Sequence, residues 1–419
     1  MKIEPKILKG FRDFLPQEAR KRQYVMDKLK TVFESFGFEP LETPVLEYEE
    51  TLTGKYGDEG DKLMYRFEDN GKRRVAMRYD QTVPLSRVVA QYQNDLPAIF
   101  KRYQIQPVWR AENTQKGRYR EFVQCDVDTI GTNSPLADAE IIAVATRSLE
   151  ALGFKKFKIL INDRENLKFI NETERLPEEE NMMIIRAVDK LKKIGKDGVI
   201  NELLADGFSK EIAERVMQEV ETRKPTSYLL QIFEALETLG IDKNTFTFSP
   251  TLARGLDYYT GVIFEIEVED YPVGSVCGGG RYDNLIGMFA SRQFPAVGCS
   301  FGFDRTIEAM EALDLFPADL KSSSTKVLVT IFSEELKQKS LEIVNKLREQ
   351  NINTEIYLGE IKEKNPLEKQ LKYADQKQIP FIIILGSEEA EKNVITVKNM
   401  QAREQKQSTI DELIRTIQN

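Results

Sequence analysis

Between Phe100 and Gly131, hydrogen-bonding side chains recur at every second position. Lys101, Tyr103, Ile105, Pro107 and Trp109 alternate with Arg102, Gln104, Gln106, Val108 and Arg110. After a break, Glu121, Val123, Cys125 and Val127 alternate with Phe122, Gln124, Asp126 and Asp128. Period two on both sides of a polar, glycine-containing connection predicts an antiparallel hairpin. One face of it carries Gln104, Gln106, Arg110, Gln124, Asp126 and Asp128. These are short, directional groups of the kind that line a pocket for a small polar ligand, where a solvated strand would show Lys or Glu. The connection Gln115-Lys116-Gly117-Arg118-Tyr119-Arg120 sets three cations and an aromatic on a tip suited to phosphates or RNA. A solvated sheet with a basic turn has the same pattern, so this stretch alone leaves both readings open.

Other segments carry similar potential. Asp80-Gln81-Thr82-Val83-Pro84 opens a helix that runs to Tyr92, with Thr82 as its cap and Pro84 in the first turn. Capping alone would account for Asp80 and Thr82. The run Gly274 to Asp283, with Gly278-Gly279-Gly280 at its centre, permits close backbone approach to a ligand or another strand. It is neither a P-loop nor a dinucleotide-binding turn, since no Gly-Lys-Ser/Thr and no G-x-G-x-x-G precedes a helix there. Ala296 to Arg305 reads as a strand passing into a helix, with Arg305 near the helix start.

Composition narrows the chemistry further. The 419 residues contain no histidine. Serine–histidine and cysteine–histidine catalysis and imidazole metal ligation are therefore excluded, leaving carboxylates, guanidinium groups, amines, tyrosines, backbone and ions. A net charge of −8 gives no whole-protein field for nonspecific nucleic-acid binding, although a local basic tip can still engage RNA. Cys125, Cys277 and Cys299 are far apart, which suggests neither a disulfide framework nor a zinc site. Charged residues at 31% and hydrophobic ones at 41% describe a globular chain long enough for two or three domains. No apolar run approaches the roughly 18 residues of a membrane span. Met1 to Pro16 has no apolar signal region, so a cytoplasmic protein without membrane contact is expected.

The elements that must position these groups follow in order. A helix is expected over 17–36, a strand over Phe38 to Val45, and a mobile Gly- and Asp-rich loop over 51–62. Strands Met64 to Phe67 and Arg74 to Tyr79 flank a turn. Asp138 to Leu152 reads as a helix and Phe157 to Asn162 as a strand. A helical insertion spans about 163–245, with helices at Met182 to Ile194, Val199 to Leu204, Lys210 to Glu221 and Ser227 to Leu239. Strands resume at Thr245 to Ser249 and Val262 to Glu267. Beyond the polar stretch around Ser322-Ser323-Ser324, strands and helices alternate from Val327 to Leu385, which predicts a small α/β domain with a largely parallel sheet.

With these segments in place the chain resembles the class II aminoacyl-tRNA synthetases, and within them the histidyl-tRNA synthetase family, over nearly its whole length. Gly37 to Pro44 is similar to motif 1, Trp109 to Phe122 to motif 2, and Gly298 to Arg305 to motif 3. The amino-acid assignment rests on Arg254-Gly255-Leu256-Asp257-Tyr258-Tyr259 and Gly278-Gly279-Gly280-Arg281-Tyr282-Asp283, which resemble the two segments peculiar to histidyl enzymes. Lys369 to Asp375 is similar to the family's anticodon-binding domain. The resemblance implies an α+β fold: an antiparallel class II catalytic sheet flanked by helices over 1–325, the insertion within it, and an α/β anticodon-binding domain over 326–419. It implies a histidine–tRNA ligase that uses ATP, with Mg²⁺ bound through the ATP phosphates, L-histidine and tRNA(His), acting as a homodimer. No protein-held metal is implied.

The roles implied for residues are specific. Arg110, Arg254 and Arg305 would stabilise phosphate charge. Glu112 would bind the adenine amine, with Phe122 and Arg305 on either side of the base. Asp80 and Thr82 would bind the amino group of histidine, with Gln124 nearby, Arg110 would hold its carboxylate, and Gln81 and Arg254 would belong to the same histidine-binding set. Asp128 and Tyr259 would grip the two ring nitrogens, with Tyr258 lining the pocket. Gln115 and Lys116 would touch the tRNA acceptor end. Asn113-Thr114 stands where many bacterial members have Arg-Pro, Val123 where His or Tyr is frequent, and Asp128 where many have Glu. Asp128 is one methylene shorter, so the pocket is expected to be adjusted elsewhere. Silent paralogues, such as regulatory subunits of ATP phosphoribosyltransferase or tRNA sensors, usually lose the motif arginines or the anticodon domain. Here Arg110, Arg254, Arg305 and the segment after 325 are all present.

Overall fold

The computed structural model describes residues 3–54, 57–114, 117–169, 176–253, 258–272, 274–321, 323–361 and 364–418. The chain divides into two compact units, Met1–Asp13 with Arg22–Leu315, and Phe14–Lys21 with Phe316–Asn419. Strands of the first unit are β1 Glu39–Pro40, β2 Leu46–Tyr48, β3 Arg66–Glu68, β4 Arg74–Met77, β5 Phe100–Trp109, β6 Glu121–Ile130, β7 Phe157–Asp163, β8 Phe246–Phe248, β9 Val262–Val268, β10 Cys277–Arg281 and β11 Ala296–Gly302. An 8-stranded sheet has the order β1-β5-β6-β11-β10-β9-β7-β8, and β2-β4-β3 make a separate 3-stranded sheet. Every inner pairing of the large sheet is antiparallel, and only the margins, β1 with β5 and β7 with β8, are parallel.

The expected hairpin is β5 and β6. Its alternation sends Tyr103, Cys125 and Val127 to one face, where they are buried with Phe301 of β11. Helix Pro16–Ser35 reaches that face through Val25, Leu29 and Phe33. The Phe33 ring lies 5.5 Å from Tyr103 and 6.0 Å from Phe301. Each such side chain removed from water stabilises the layer by about 1.5–3 kcal/mol. The opposite face is left to the polar residues.

Several expectations are corrected. The strand expected from Phe38 to Val45 pairs only at Glu39 and Pro40, because Pro40 and Pro44 lack the N–H a ladder needs; Leu41 N still donates to Tyr103 O at 2.9 Å. The 51–62 stretch, expected as a loop, takes in the end of the helical turn Glu49–Leu52 and the short helix Gly57–Lys62. Thr82 does not cap its helix. It is the first residue of Thr82–Gln91, and Asp80 Oδ1 accepts from Val83 N at 3.1 Å.

In the insertion, helices Glu178–Asp189, Leu191–Ala205 and Lys210–Thr222 bury Ile184, Val188, Leu203, Val216 and Met217 in one cluster with Leu252 and Ile263. Gly195, with φ 73°, is non-helical in the gap expected between Ile194 and Val199, whereas the helix expected over Met182 to Ile194 is itself divided at Lys190. Helix Ser227–Thr238 instead packs on Pro135–Ala151, against the large sheet.

In the second unit, β12 Val327–Val329, β13 Thr354–Ile356, β14 Phe381–Ile384, β15 Ile395–Asn399 and β16 Glu404–Ser408 are ordered β13-β12-β14-β15-β16. The first three strands are parallel, as expected, but β15 and β16 add an antiparallel hairpin. The sheet is therefore mixed. Val327 and Val329 face helix Lys337–Glu349, while Leu328 and Ile382 meet Ala374 on the other side. Among the described residues no helix is long and apolar enough to cross a membrane.

Candidate active site

Register fixes what faces what on the polar side of the large sheet. Arg102, Gln104 and Gln106 of β5 oppose Asp128, Asp126 and Gln124 of β6. On the other flank of β6 these three meet Gly298, Ser300 and Gly302 of β11, and Gly280 and Gly278 of β10 follow. One half of this face is charged and the other is nearly bare. Bareness is required sterically. A Cβ at Gly298 would lie 1.9 Å from Asp128 Oδ1, and one at Gly280 would lie 3.0 Å from the Tyr259 ring. The glycines make room for a carboxylate and a tyrosine.

A cavity of about 150 Å³ stands on this floor. Its walls are Tyr79, Asp80 and Thr82 at the start of Thr82–Gln91, Gln124, Asp126 and Asp128 of β6, and Tyr258, Tyr259 and Tyr282 opposite. A second cavity, of about 380 Å³, is lined by Glu112, Arg118, Tyr119, Phe122, Ser275 and Arg305. Arg110 and Ser300 belong to both. The Arg110 guanidinium is 4.3 Å from the Tyr79 ring centre and 5.1 Å from that of Phe122, and its Nε donates to Tyr79 O at 3.1 Å. Arg305 Nη1 donates to Ser275 O at 2.6 Å. The hairpin tip is braced by the N-terminal segment. Arg120 N donates to Gly10 O at 2.9 Å, and the Arg12 guanidinium lies 3.3 Å over the Tyr119 ring.

The expected residues thus assemble around two adjoining cavities, with exceptions. Gln81 does not line either. Fully buried, it donates through Nε2 to Gln106 O at 2.9 Å and Gln124 O at 3.2 Å, tying the helix start to the hairpin backbone. Gln104 and Gln106 also lie beneath the cavities rather than in their walls. Arg78 Nη1 and Gln104 Nε2 both donate to Gln106 Oε1 at 2.7 Å, and Gln104 Nε2 also donates to Thr43 Oγ1 at 2.8 Å. Arg254, Gln115 and Lys116 lie outside the described residues.

Asp128 departs from a free acceptor. Tyr282 donates its hydroxyl to Oδ1, and Arg102 Nη2 sits 2.7 Å from Oδ2. Arg102 shares the parity of the polar face, which is the signal that could have exposed it. Tyr282 and Arg281, adjacent in sequence, separate in role. Tyr282 enters the cavity, while Arg281 pairs with Asp138 through Nε at 3.1 Å and Nη2 at 2.5 Å, and Tyr228 donates to Asp138 at 2.8 Å.

Burial sets the electrostatics. Desolvation raises the Asp128 carboxyl above its ordinary range, and Arg102 and the Tyr282 hydroxyl oppose that rise. Desolvation pushes Asp126 up to about 7, with Arg102 and the Ser300 hydroxyl lowering it and Asp128 and Asp80 raising it. From the ordinary value of 3.8 to about 7, the unfolded chain releases a proton that the folded chain keeps. This group therefore favours folding at low pH, and the ligand-free protein loses on the order of 4 kcal/mol from it as pH rises through that window. Thermal melts at pH 5 and pH 8 are expected to show Asp126→Asn gaining stability over the parent as pH increases. A gap that does not change with pH would show that Asp126 has an ordinary affinity for protons.

Comparisons with known proteins agree with this geometry. Residues 10–306 match the family model described as histidyl-tRNA synthetase, and residues 326–419 the one described as anticodon binding domain. The histidine–tRNA ligase of Cytophaga hutchinsonii is 39% identical, with 98% of this chain and 99% of that protein covered. That of Rhodopirellula baltica is 40% identical over 96% and 95%. The crystal structure of histidyl-tRNA synthetase from Nostoc sp. PCC 7120 superimposes with a TM-score of 0.85 at 30% identity, covering 99% of this chain and 100% of that one. A protein from Bacillus halodurans described as an ATP phosphoribosyltransferase regulatory subunit/histidyl-tRNA synthetase shares the fold, with a TM-score of 0.71 at 22% identity, covering 88% and 97%. With its catalytic sheet, its two adjoining cavities and both family models in sequence, the chain belongs to the histidyl-tRNA synthetase family.

Proposed function

We propose that the chain is a histidine–tRNA ligase whose smaller cavity takes L-histidine and whose larger cavity takes ATP. The observation that carries this reading is the sharing of Arg110 by the two cavities. A guanidinium at that junction meets the histidine carboxylate on one side and the α-phosphate on the other. The carboxylate attacks phosphorus, pyrophosphate leaves, and histidyl-adenylate forms. The nucleophile is already ionised, so no general base is needed, and the protein contributes alignment and charge neutralisation.

Phe122 and Arg305 would enclose the adenine and Glu112 would accept from its amine. Asp80, Thr82 and Gln124 would surround the ammonium group, with the ring among Tyr258, Tyr259 and the Asp128 end of the cavity. Arg254 would add positive charge at the α-phosphate. The larger cavity suits phosphate oxygens rather than a metal of its own, since Arg110, Arg118 and Arg305 line it and Asp304 is held by Arg12 at 3.0 Å and Arg22 at 2.5 Å. Mg²⁺ would accompany the ATP phosphates and neutralise the departing pyrophosphate. In the second step the terminal hydroxyl of tRNA(His) attacks the adenylate, with a phosphate oxygen taking its proton. Gln115 and Lys116 on the hairpin tip would touch the acceptor end, and the unit after residue 325 would read the anticodon.

A cytoplasmic homodimer fits the same reading. Tyr48 and Phe67 flank Val75 across the 3-stranded sheet, and Leu46, Tyr48 and Phe67 are 42%, 54% and 43% exposed. Such a patch on an isolated chain suits burial against a second copy. ATP–pyrophosphate exchange with each of the twenty amino acids and no tRNA is the direct test. Exchange with histidine alone, lost in Arg254→Ala, is expected. A folded protein that exchanges with none of them would be a non-catalytic relative.

A further inference from the structure

We infer that the segment from Gly10 to Arg12 is a positioning element of the larger cavity, in which Arg12 joins the hairpin tip to the helix that carries Arg305. This rests on the reading that the larger cavity takes ATP. Tyr119 of the tip and Asp304 of helix Phe303–Ala312 both line that cavity, whereas Arg12 stays outside its lining. The Arg12 guanidinium lies 3.3 Å over the Tyr119 ring and reaches Asp304 Oδ1 at 3.0 Å. A planar cation can stack on one partner and pair with the other at the same time. Two walls of the nucleotide site are thus tied together from behind. All of these residues belong to the same compact unit.

The backbone of the segment holds the tip as well. Ladder pairing of the hairpin ends at Trp109 and Glu121. One residue further, Arg120 N donates to Gly10 O and Arg110 N donates to Arg120 O, both at 2.9 Å. Arg120 thereby connects Gly10 to the backbone of Arg110, whose side chain both cavities share. Gly10 has φ 89°, and a Cβ there would lie 2.7 Å from Arg120 Cγ and from Thr114 Cγ2, so the approach requires glycine. Phe11 N donates to Leu8 O at 3.0 Å, and its ring meets Tyr65 edge-on at 6.4 Å, which keeps the segment in place. The tip also carries Arg118, whose side chain is 64% exposed. A tip without such a hold would have to be ordered when phosphates arrive, and one held beforehand is spared that entropy. Arg22 offers a contrast. It too pairs with Asp304, at 2.5 Å, but its ring contact is to Phe303 rather than to the tip.

The test combines pyrophosphate exchange with histidine and hydrogen–deuterium exchange of peptides covering Arg120, both on the full-length protein. Arg12→Ala and Gly10→Ala are each expected to raise KM for ATP about tenfold while moving KM for histidine less than about twofold. Each should also speed amide exchange around Arg120 by about tenfold. Arg22→Ala should leave those amides as they are in the parent, because Arg12 still holds the tip. In Arg12→Ala the Asp304 carboxylate keeps Arg22, so no charge is orphaned, and Gly10→Ala reaches the same contacts without removing any charge. Unchanged KM for ATP in both variants would overturn the inference, as would equal rises for ATP and histidine. So would faster amide exchange that Arg22→Ala reproduces. A parent that exchanges no pyrophosphate would remove the nucleotide reading and the inference with it, whereas parental amide rates around Arg120 in an active Arg12→Ala enzyme would overturn the inference alone.

Discussion

Replacing Arg102 with methionine is expected to lower the unfolding free energy by about 3–5 kcal/mol, the usual consequence of removing one partner from a buried ion pair. Arg102 is fully buried and Asp128 is 4% exposed, with 2.7 Å between them, so water cannot take over the lost interaction. Burial already pushes the Asp128 carboxyl upward, and Arg102 is the charge that opposes the rise. Without it the carboxylate takes a proton or stays ionised at a cost, and the Tyr282 contact is disturbed in either case. Urea unfolding with linear extrapolation reads the loss, and Arg102→Met combined with Asp128→Asn should recover most of it. A loss below about 1 kcal/mol would mean that the pair is not what holds this floor together.

Arg110→Ala should reduce kcat/KM for both histidine and ATP by about a thousandfold, roughly 4 kcal/mol of transition-state stabilisation. The guanidinium is poised between the two cavities by the Tyr79 carbonyl and the Tyr79 and Phe122 rings. Its planar fork can address a carboxylate and a phosphate at once, which a lysine ammonium cannot. Arg110→Lys is therefore expected to remain near the alanine level. Recovery to within tenfold of the parent would show that positive charge alone suffices there.

The hairpin was legible because its two periodicities coincide. Small and apolar residues on one face bury under Pro16–Ser35, while polar ones on the other collect at the cavities. The assembly of Asp80, Arg110, Gln124, Tyr258 and Tyr259 around one cavity was legible through their motifs, although they come from distant segments. What escaped reading shares a physical cause. Gln104 and Gln106 looked like pocket walls, but their partners Thr43 and Arg78 lie far away in sequence, and only the folded chain shows the network. Arg102 was hidden in the same way, since a lone arginine on a strand reads as solvated until its carboxylate partner is placed opposite. β16, Glu404–Ser408, has no apolar residue, and its pairing with β15 at the sheet margin is a matter of backbone hydrogen bonds. Asp80 displaced Thr82 as the cap because a side chain two residues before the helix reached the Val83 N–H first.

A binding site for imidazole whose walls hold no imidazole turns the ligand into its own reporter. In a mixture of these 419 residues with histidine, every imidazole proton and nitrogen resonance comes from the substrate. Ring tautomer, ring protonation and the hydrogen bonds of the ring can be followed by magnetic resonance on labelled histidine, against a protein that contributes no imidazole nitrogen signal. Acylating reagents selective for imidazole would likewise find only the free amino acid, so their loss of reactivity on mixing would measure how completely the ring is enclosed.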